Sequence, residues 1–505
     1  MSVHWPIIKT LLRRPFKEAI VDDTRTYRGI DILVAASHVA AALQSVSTTG
    51  TVGILLPTGG AFPIAALAGW MLGKTIVPLN YLLKQDELQY VIDDCGCDTV
   101  ITASALLGFL GFTPDRVKLV KMDEISFKGM PDARWPAGAS DDDLAVILYT
   151  SGTSGKPKGV MLTHGNIRAN VSQIDKYVQF GPDQVFLGVL PQFHSFGLTV
   201  LTVLPLTFGW KAVYTARFAP AKLIRLLKQH HPTVFVAIPS MYNALLHVKD
   251  ARPEDFTSLK FVLSGAEPLP QAVADGFLER FGVRINEGYG LTETAPATNW
   301  CLPTEYRPRS VGRPLTGITE RIVDINTGKD VPFGEEGEIR IAGENVMRGY
   351  YKLPAETAAA FDEQGALRTG DIGRFDADGH LYITGRLKEM LIIGGENVFP
   401  REIEEVLNKH PDVKDSGVIG VPDPMRGEEA MAFVEMKEAA GVGKDGAAGG
   451  TDAVPKRPFD QKVLLHWCRQ HLAGYKVPRE IREIEALPRS ATGKVLRREL
   501  KKLAG

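Results

Sequence analysis

The run from Tyr149 to Val160 reads Tyr-Thr-Ser-Gly-Thr-Ser-Gly-Lys-Pro-Lys-Gly-Val. It follows Leu144–Leu148, an apolar run with the length and β-branching of a buried strand. Gly152, Gly155 and Gly159 free the backbone to turn several N–H groups towards one point. Thr150, Ser151, Thr153 and Ser154 add hydroxyl donors, while Lys156 and Lys158 add positive charge. The guest that suits such a loop is a polyphosphate. A plain surface linker has no use for two lysines among glycines directly after a buried strand. The common phosphate loop needs Gly-x4-Gly-Lys-Ser/Thr opening a helix. Here Gly155-Lys156 is followed by Pro157, which lacks an N–H. A loop, not a helix N-terminus, is therefore expected to hold the phosphates, which points away from ordinary ATPases and GTPases.

Other clusters interrupt the apolar pattern in the same way. Asn286-Glu-Gly-Tyr-Gly-Leu-Thr-Glu293-Thr follows a strand-like Val283–Ile285. In it Tyr289 offers a flat face for a base, Thr292 a hydroxyl and Glu293 a hard oxygen for Mg²⁺. The same Thr292 and Glu293 would also suit a helix N-terminus. Thr369-Gly-Asp371, after a strand, suits a carboxylate accepting from ribose hydroxyls, or an everyday turn. Gly385-Arg386-Leu387-Lys388 and Ser490-Ala-Thr-Gly-Lys494 are unremarkable alone. Their joint occurrence in this order is informative.

These residues must be positioned by more than one core, since 505 residues exceed what a single core organises. From Thr51 strands alternate with helices: Thr51–Leu56, Ala61–Leu72, Thr75–Leu79, Lys84–Asp94 and Asp98–Thr102. The alternation resumes with strands at Val185–Leu190, Lys211–Tyr214, Thr233–Ala237 and Lys260–Leu263, and helices at Pro220–Gln229 and Pro270–Arg280. Such alternation predicts an α/β fold with two related, doubly wound parallel sheets over about residues 1–300. Ligands of such sheets sit beyond the carboxyl ends of the strands. From about Arg309 to Gly385, short runs at Glu320–Ile325, Gly337–Ala342 and His380–Thr384 predict a small β-subdomain. Beyond Lys388 a compact α+β unit is expected, with strands near Met390–Ile393, Lys414–Gly420 and Ala430–Met436 and helices at Arg401–Asn408 and Asp460–His471. Glu438–Pro455, rich in Gly and Ala, reads as a flexible insertion.

Composition narrows the function classes. A formal net charge of −1 gives no general attraction to nucleic acid. The 4 cysteines are too few for a disulfide framework, and Cys95-Gly-Cys97 lacks the second pair of a tetrahedral metal site. No signal peptide is visible after Met1, and the apolar stretches Gly60–Leu72 and Gly197–Trp210 fall short of the roughly 20 residues that span a bilayer. A soluble, cytoplasmic protein without a transmembrane segment is expected.

Taken together, the motifs resemble those of the adenylate-forming superfamily of acyl-CoA synthetases, adenylation domains and luciferase-type enzymes. The resemblance runs from Tyr149–Gly159 through Pro191-Gln-Phe-His194-Ser-Phe-Gly, Ser264-Gly-Ala-Glu-Pro-Leu and Glu287–Glu293. It continues through Thr369–Asp371, Gly385–Lys388, Gly394-Gly-Glu-Asn397, Pro478-Arg479 and Pro488–Lys494, and so covers nearly the whole chain. It implies a large N-terminal domain (1–387) and a small mobile C-terminal domain (388–505) hinged at Lys388. It also implies two half-reactions, in which a carboxylate attacks the α-phosphate of ATP and a thiol, usually that of coenzyme A, then displaces AMP. Such a reaction needs positioning and charge stabilisation rather than a general base.

By this resemblance Thr150–Lys156 would hold the β- and γ-phosphates, with Thr150 and Glu293 on Mg²⁺. Asp371 would bind the ribose hydroxyls with Arg386 close by, and Gly265, Ala266 and Tyr289, within Glu287-Gly288-Tyr289-Gly290, would bracket the adenine. Lys494 would bridge the substrate carboxylate and the α-phosphate. Rotation about Lys388 would then withdraw it and bring Gly394, Gly395, Glu396 and Asn397 to a pantetheine tunnel. His194 would gate the acyl pocket, or be a buried structural histidine.

For the acid itself, Gly197, Gly288 and Gly290 are expected to leave room, with Phe193, Phe196, Leu198 and Trp300 as apolar wall. No arginine lies within Glu287–Glu293 or Phe193–Gly197 to pair a second carboxylate, so a malonate-like diacid is disfavoured, and acetate would want a bulky plug where this chain has glycine. A medium- or long-chain fatty acid is the first expectation, and a benzoate- or cinnamate-type acid the alternative. An acyl carrier protein could replace coenzyme A. A luciferase-like oxygenase shares the motifs. A non-catalytic nucleotide or acyl binder is disfavoured by Lys494, Glu293 and Asp371 occurring together.

Overall fold

The computed structural model describes residues 2–131, 135–151, 156–438, 457–489 and 495–504. Two large sheets dominate. In the first, of seven strands, Leu144–Ser151, Thr75–Pro78, Thr51–Ile54, Thr99–Thr102 and Lys118–Lys121 run parallel in that order. Pro157–Thr163 and Gly349–Tyr350 complete it as antiparallel edge strands. In the second, of nine strands, Glu18–Val21, Lys211–Tyr214, Val185–Gly188, Val234–Ala237, Phe261–Ser264 and Asn286–Gly290 are parallel neighbours. Helices cover both faces, so a strand such as Val234-Phe-Val-Ala237 is buried throughout and reads as a continuous apolar run.

The helix Gly29–Val46 is long and apolar enough to cross a membrane, a feature the sequence reading does not single out. Here it buries Ile32, Ala36, Val39, Ala40 and Leu43 and packs on Ala61–Met71. The apolar stretch Gly197–Trp210 falls in a composite helix: one turn over Ser195–Leu198, a π-turn over Thr199–Val203 and a last turn over Leu204–Phe208. π-Turns of this kind are frequent at functional sites.

A four-stranded antiparallel sheet follows, ordered Thr319–Val323, Gly337–Ala342, Leu367–Phe375 and Leu381–Arg386. The C-terminal unit has its own sheet. Gly427–Met436 pairs with Val413–Asp423 along one side and with Leu391–Ile393 and Glu480–Glu483 along the other. Helices Pro400–Leu407 and Gln461–His471 pack over a core that includes Ile403, Leu407, Val434 and Leu464. The expected insertion at 438–455 falls almost wholly outside the described residues.

Three local readings are corrected. Val283–Ile285 is not strand; the strand is Asn286–Gly290, the motif itself. Glycines are tolerated there because the neighbouring backbone comes close: a Cβ on Gly290 would lie 1.9 Å from the Pro296 carbonyl oxygen. Thr369-Gly-Asp371 lies inside the strand Leu367–Phe375 and not after one. The strand entering the glycine–lysine motif extends to Ser151 and pairs antiparallel with Pro157–Thr163, so the motif's described residues lie on two adjacent strands.

Candidate active site

Asp371 is buried and held by two partners. Tyr289 Oη donates to its Oδ2 at 2.6 Å, and Arg386 Nε lies 2.6 Å from its Oδ1. The local folding explains this: Asp371 and Arg386 are direct cross-strand partners, and Tyr289 comes from the last parallel strand of the nine-stranded sheet. Burial, then the Asp371 charge, push the Tyr289 phenol well above its ordinary range, so it remains a donor. Burial alone would lower the Arg386 guanidinium, but Asp371, Tyr289 and Glu389 together outweigh it and the net shift is upward.

Four residues on, Glu293 sits in a single 3₁₀ turn, Thr292–Thr294. Tyr350 Oη donates to Glu293 Oε1 at 2.9 Å, and Lys158 Nζ stands 5.4 Å from the Tyr350 ring centre. Thr150 pairs with Lys158 and Ser151 with Pro157 across the two strands. Lys156 lies over the Tyr90 ring at 5.4 Å. Tyr149 Oη donates to Asp94 Oδ2 at 2.5 Å, fixing the first of these strands to the helix Gln85–Cys95. Gly152, Thr153, Ser154 and Gly155 lie outside the described residues.

No group of three His, Cys, Asp or Glu side chains is gathered among the described residues. Glu293 Oε2 accepts no hydrogen bond from any of them, leaving one hard oxygen free. One carboxylate oxygen and a threonine suit Mg²⁺, which keeps few protein ligands and shares the phosphates of its substrate.

Around His194 the arrangement is tight. Its ring lies tilted against Phe193, with centroids 4.5 Å apart, and its Nε2 is sealed from solvent with no partner among the described residues. Burial holds its pKa down to about 4, so the imidazole is neutral. Ser195 Oγ and Thr292 Oγ1 are 3.4 Å apart. Phe196 closes on Gly265: a Cβ there would lie 2.8 Å from Phe196 Cε1. Ala266 is left-handed, at φ 68°.

The glycines do not provide the expected room. A Cβ on Gly197 would lie 2.1 Å from the Pro191 oxygen, and one on Gly288 3.1 Å from the Asn299 oxygen. Each faces backbone and admits close strand or turn packing. Trp300 is core, packing on Phe180 with ring centroids 5.9 Å apart.

Glu287 points elsewhere, accepting from Leu269 N at 3.3 Å. Burial raises its carboxyl to about 7 against the opposing pull of Arg401. Gly394 and Gly395, at φ 62° and 89°, form a two-residue hairpin turn with Glu396 and Asn397 on the returning strand. These four are exposed and make no hydrogen bond to the Asp371 corner. Lys494 lies outside the described residues. Three residues further on, Arg497 Nη2 is 2.8 Å from Glu404 Oε1 and Arg497 Nη1 2.9 Å from Glu389, the residue after Lys388. Sequence reasoning misses Tyr350, Glu389, Glu404 and Arg497, since nothing local marks a partner so distant along the chain.

Two doubly wound sheets, an antiparallel strand pair carrying the glycine–lysine motif, a buried Asp371–Arg386 corner joined by Tyr289, and Glu293 four residues beyond Tyr289 suit a nucleotide-activating ligase. The chain belongs to the AMP-binding enzyme family: that family matches residues 9–351, and its C-terminal domain matches residues 402–494. It is similar to the sulfoacetate–CoA ligase of Cupriavidus necator, 36% identical over 92% of this chain and 89% of that one. It is also similar to the long-chain-fatty-acid–CoA ligase of Bacillus subtilis, 32% identical over 97% and 92%. Among solved structures, ATP-bound MatB from Rhodopseudomonas palustris superposes with a TM-score of 0.86 at 30% identity, covering 100% and 99% of the two chains. The protein is an ATP-dependent acyl-CoA ligase, an acid–thiol ligase using ATP, Mg²⁺ and coenzyme A.

Proposed function

We propose that the protein activates a compact carboxylic acid carrying a second polar group and delivers it to coenzyme A. The supporting observation is that three buried polar atoms on the segments bearing Phe196 and Gly265 have no partner among the described residues: His194 Nε2, Thr199 Oγ1 and Ser264 Oγ. A buried hydrogen-bonding atom left unpaired is costly, and a ligand that supplies its partner is selected strongly. The similarity to a sulfoacetate–CoA ligase supports the same reading. A medium- or long-chain fatty acid is the second reading, favoured by the apolar Phe193 and Leu198 and by the Bacillus subtilis relative.

In the first half-reaction a carboxylate oxygen attacks the α-phosphorus and pyrophosphate leaves. In the second, the thiol sulfur attacks the acyl carbon and AMP leaves. Thr150–Lys156 hold the leaving phosphates, and Thr150 and Glu293 take Mg²⁺. Asp371 and Arg386 grip the ribose side, while Tyr289, Gly265 and Ala266 flank the adenine. Lys494 bridges the reacting oxygens as a mobile point charge. The swing divides 1–387 from 388–505 at Lys388 and brings Gly394–Asn397 to the thiol. The cytoplasm, which supplies ATP and coenzyme A, is its compartment.

A panel of acids with ATP, with and without coenzyme A, followed by AMP and pyrophosphate release, tests the reading. Polar short acids should turn over fastest; a maximum at long-chain acids would replace the first reading by the second. Lys494→Ala should abolish pyrophosphate release and spare thioester formation from supplied acyl-adenylate. Equal loss of both would remove Lys494 from its role.

A further inference from the structure

Arg309 is a non-glycine residue in the left-handed region, at φ 65°. Such a backbone costs free energy and persists where surrounding structure holds it. Its neighbours are fixed: Ser310 Oγ and Val311 N both donate to the Leu381 oxygen, at 2.9 and 3.0 Å. From this strained position Arg309 Nη1 reaches out to Glu405 Oε2 of the C-terminal unit, 3.2 Å away. Glu405 also takes Arg401 Nε at 3.0 Å on its other oxygen, and Arg401 Nη1 donates to the Ile383 oxygen at 2.6 Å. Arg401 and Glu405 share the helix Pro400–Leu407, whose entry residue Phe399 lies over Gly385. Glu287, which begins the Gly288-Tyr289 stretch and whose carboxyl burial raises to about 7, lies in the field of Arg401, Glu405 and Arg309. Two cations and one anion, drawn from both units, therefore meet beside the hinge.

We propose that Arg309, Arg401 and Glu405 are positioning residues that latch the C-terminal unit for the adenylation half-reaction and must part before the thiol step. This rests on the two-step reading above. The Arg309–Glu405 pair is partly exposed, so its worth is modest. A modest bias nevertheless suffices where two orientations are close in free energy, moving their ratio by up to about fivefold. The left-handed backbone of Arg309 makes the contact separable from the fold, since glycine adopts that backbone freely.

The test is Arg309→Gly, with Glu405→Gln as its partner in a double-mutant cycle. Arg309→Gly should keep or raise the melting temperature, lower pyrophosphate exchange about two- to fivefold, and leave thioester formation from supplied acyl-adenylate unchanged or faster. In a Glu405→Gln background the same change should add nothing. Equal loss in both half-reactions, no loss in either, or simple additivity of the two variants would overturn the latch. A second readout is independent of catalysis. Fluorescent labels on cysteines introduced at the exposed Phe16 and Met425 report the spacing of the units, the four native cysteines being buried. Arg309→Gly should add a second population of transfer efficiencies; an unchanged distribution also overturns the latch. If instead the parent enzyme shows no pyrophosphate exchange with any acid, the proposed reaction falls while the labels still decide the latch.

Discussion

Tyr289 and Asp371 are 82 residues apart in sequence, yet the phenol donates to the carboxylate at 2.6 Å, joining the nine-stranded sheet to the small antiparallel one. Asp371→Asn keeps the shape of this corner and removes its charge. The KM for ATP should rise roughly ten- to a hundredfold, as expected for loss of about 1.5–3 kcal/mol in hydrogen bonds to a charged group. Tyr289→Phe should cost less. Pyrophosphate exchange measures both, and unchanged values would remove this corner from the nucleotide site.

Tyr350 orients Glu293 by a single hydrogen bond. Tyr350→Phe should raise the Mg²⁺ concentration needed for half-maximal exchange about three- to tenfold, the effect of roughly 0.5–1.5 kcal/mol. The KM for the acid should stay as it was. A shift in the acid instead would place Glu293 away from the metal.

Gly290→Ala and Gly197→Ala would drive a Cβ to 1.9 and 2.1 Å from carbonyl oxygens. Each should destabilise by about 1–3 kcal/mol or more through forced backbone shifts. Denaturant unfolding will show it. A change of acid preference at full stability would mean that these glycines shape the pocket after all.

Glu320 is buried against Asn299, and burial lifts its carboxyl to about 8 in the fold from an ordinary 4.5. The folded state therefore takes up a proton that the unfolded chain releases, and stability falls as pH rises from about 4.5 to 8. Glu320→Gln should remove that slope and stabilise the protein above pH 8 by a few kcal/mol, since each pH unit between the two values is worth about 1.4 kcal/mol. Thermal unfolding of the two proteins across this range checks the sign.

His4, His164 and His194 act in the opposite sense. Burial holds each near 4, below the ordinary 6.5. The unfolded chain binds their protons first, so stability is full above about pH 6.5 and is lost as pH falls towards 4. His4→Gln should shallow that loss, as measured by unfolding between pH 7 and 4.5.

Much of the architecture is legible in the sequence because buried parallel strands are written in β-branched residues. Thr75–Pro78 and Lys211–Tyr214 can be read to within a residue. Asn286–Gly290 cannot, since a strand of glycines and polar residues carries no apolar signal and is held by the backbone beside it. The same limit applies at the site. Asp371, Arg386 and Glu293 stand out as ionisable residues in glycine-rich settings. Tyr350, Glu404 and Arg497 act only through partners brought in by the fold. The space expected at Gly197, Gly288 and Gly290 is absent for a related reason: composition records a missing side chain but not the direction in which it would have pointed.

Arg386 ends the strand Leu381–Arg386 two residues before Lys388, and Glu389 just beyond is tied to Arg497. In the proposed cycle the grip on the ribose and the pivot of the moving unit are thus ends of one short lever. A swing about Lys388 would torque the guanidinium that steadies Asp371, so the turn that admits the thiol would also loosen the hold on AMP. Product ejection would then be geared to the conformational cycle, with no separate trigger.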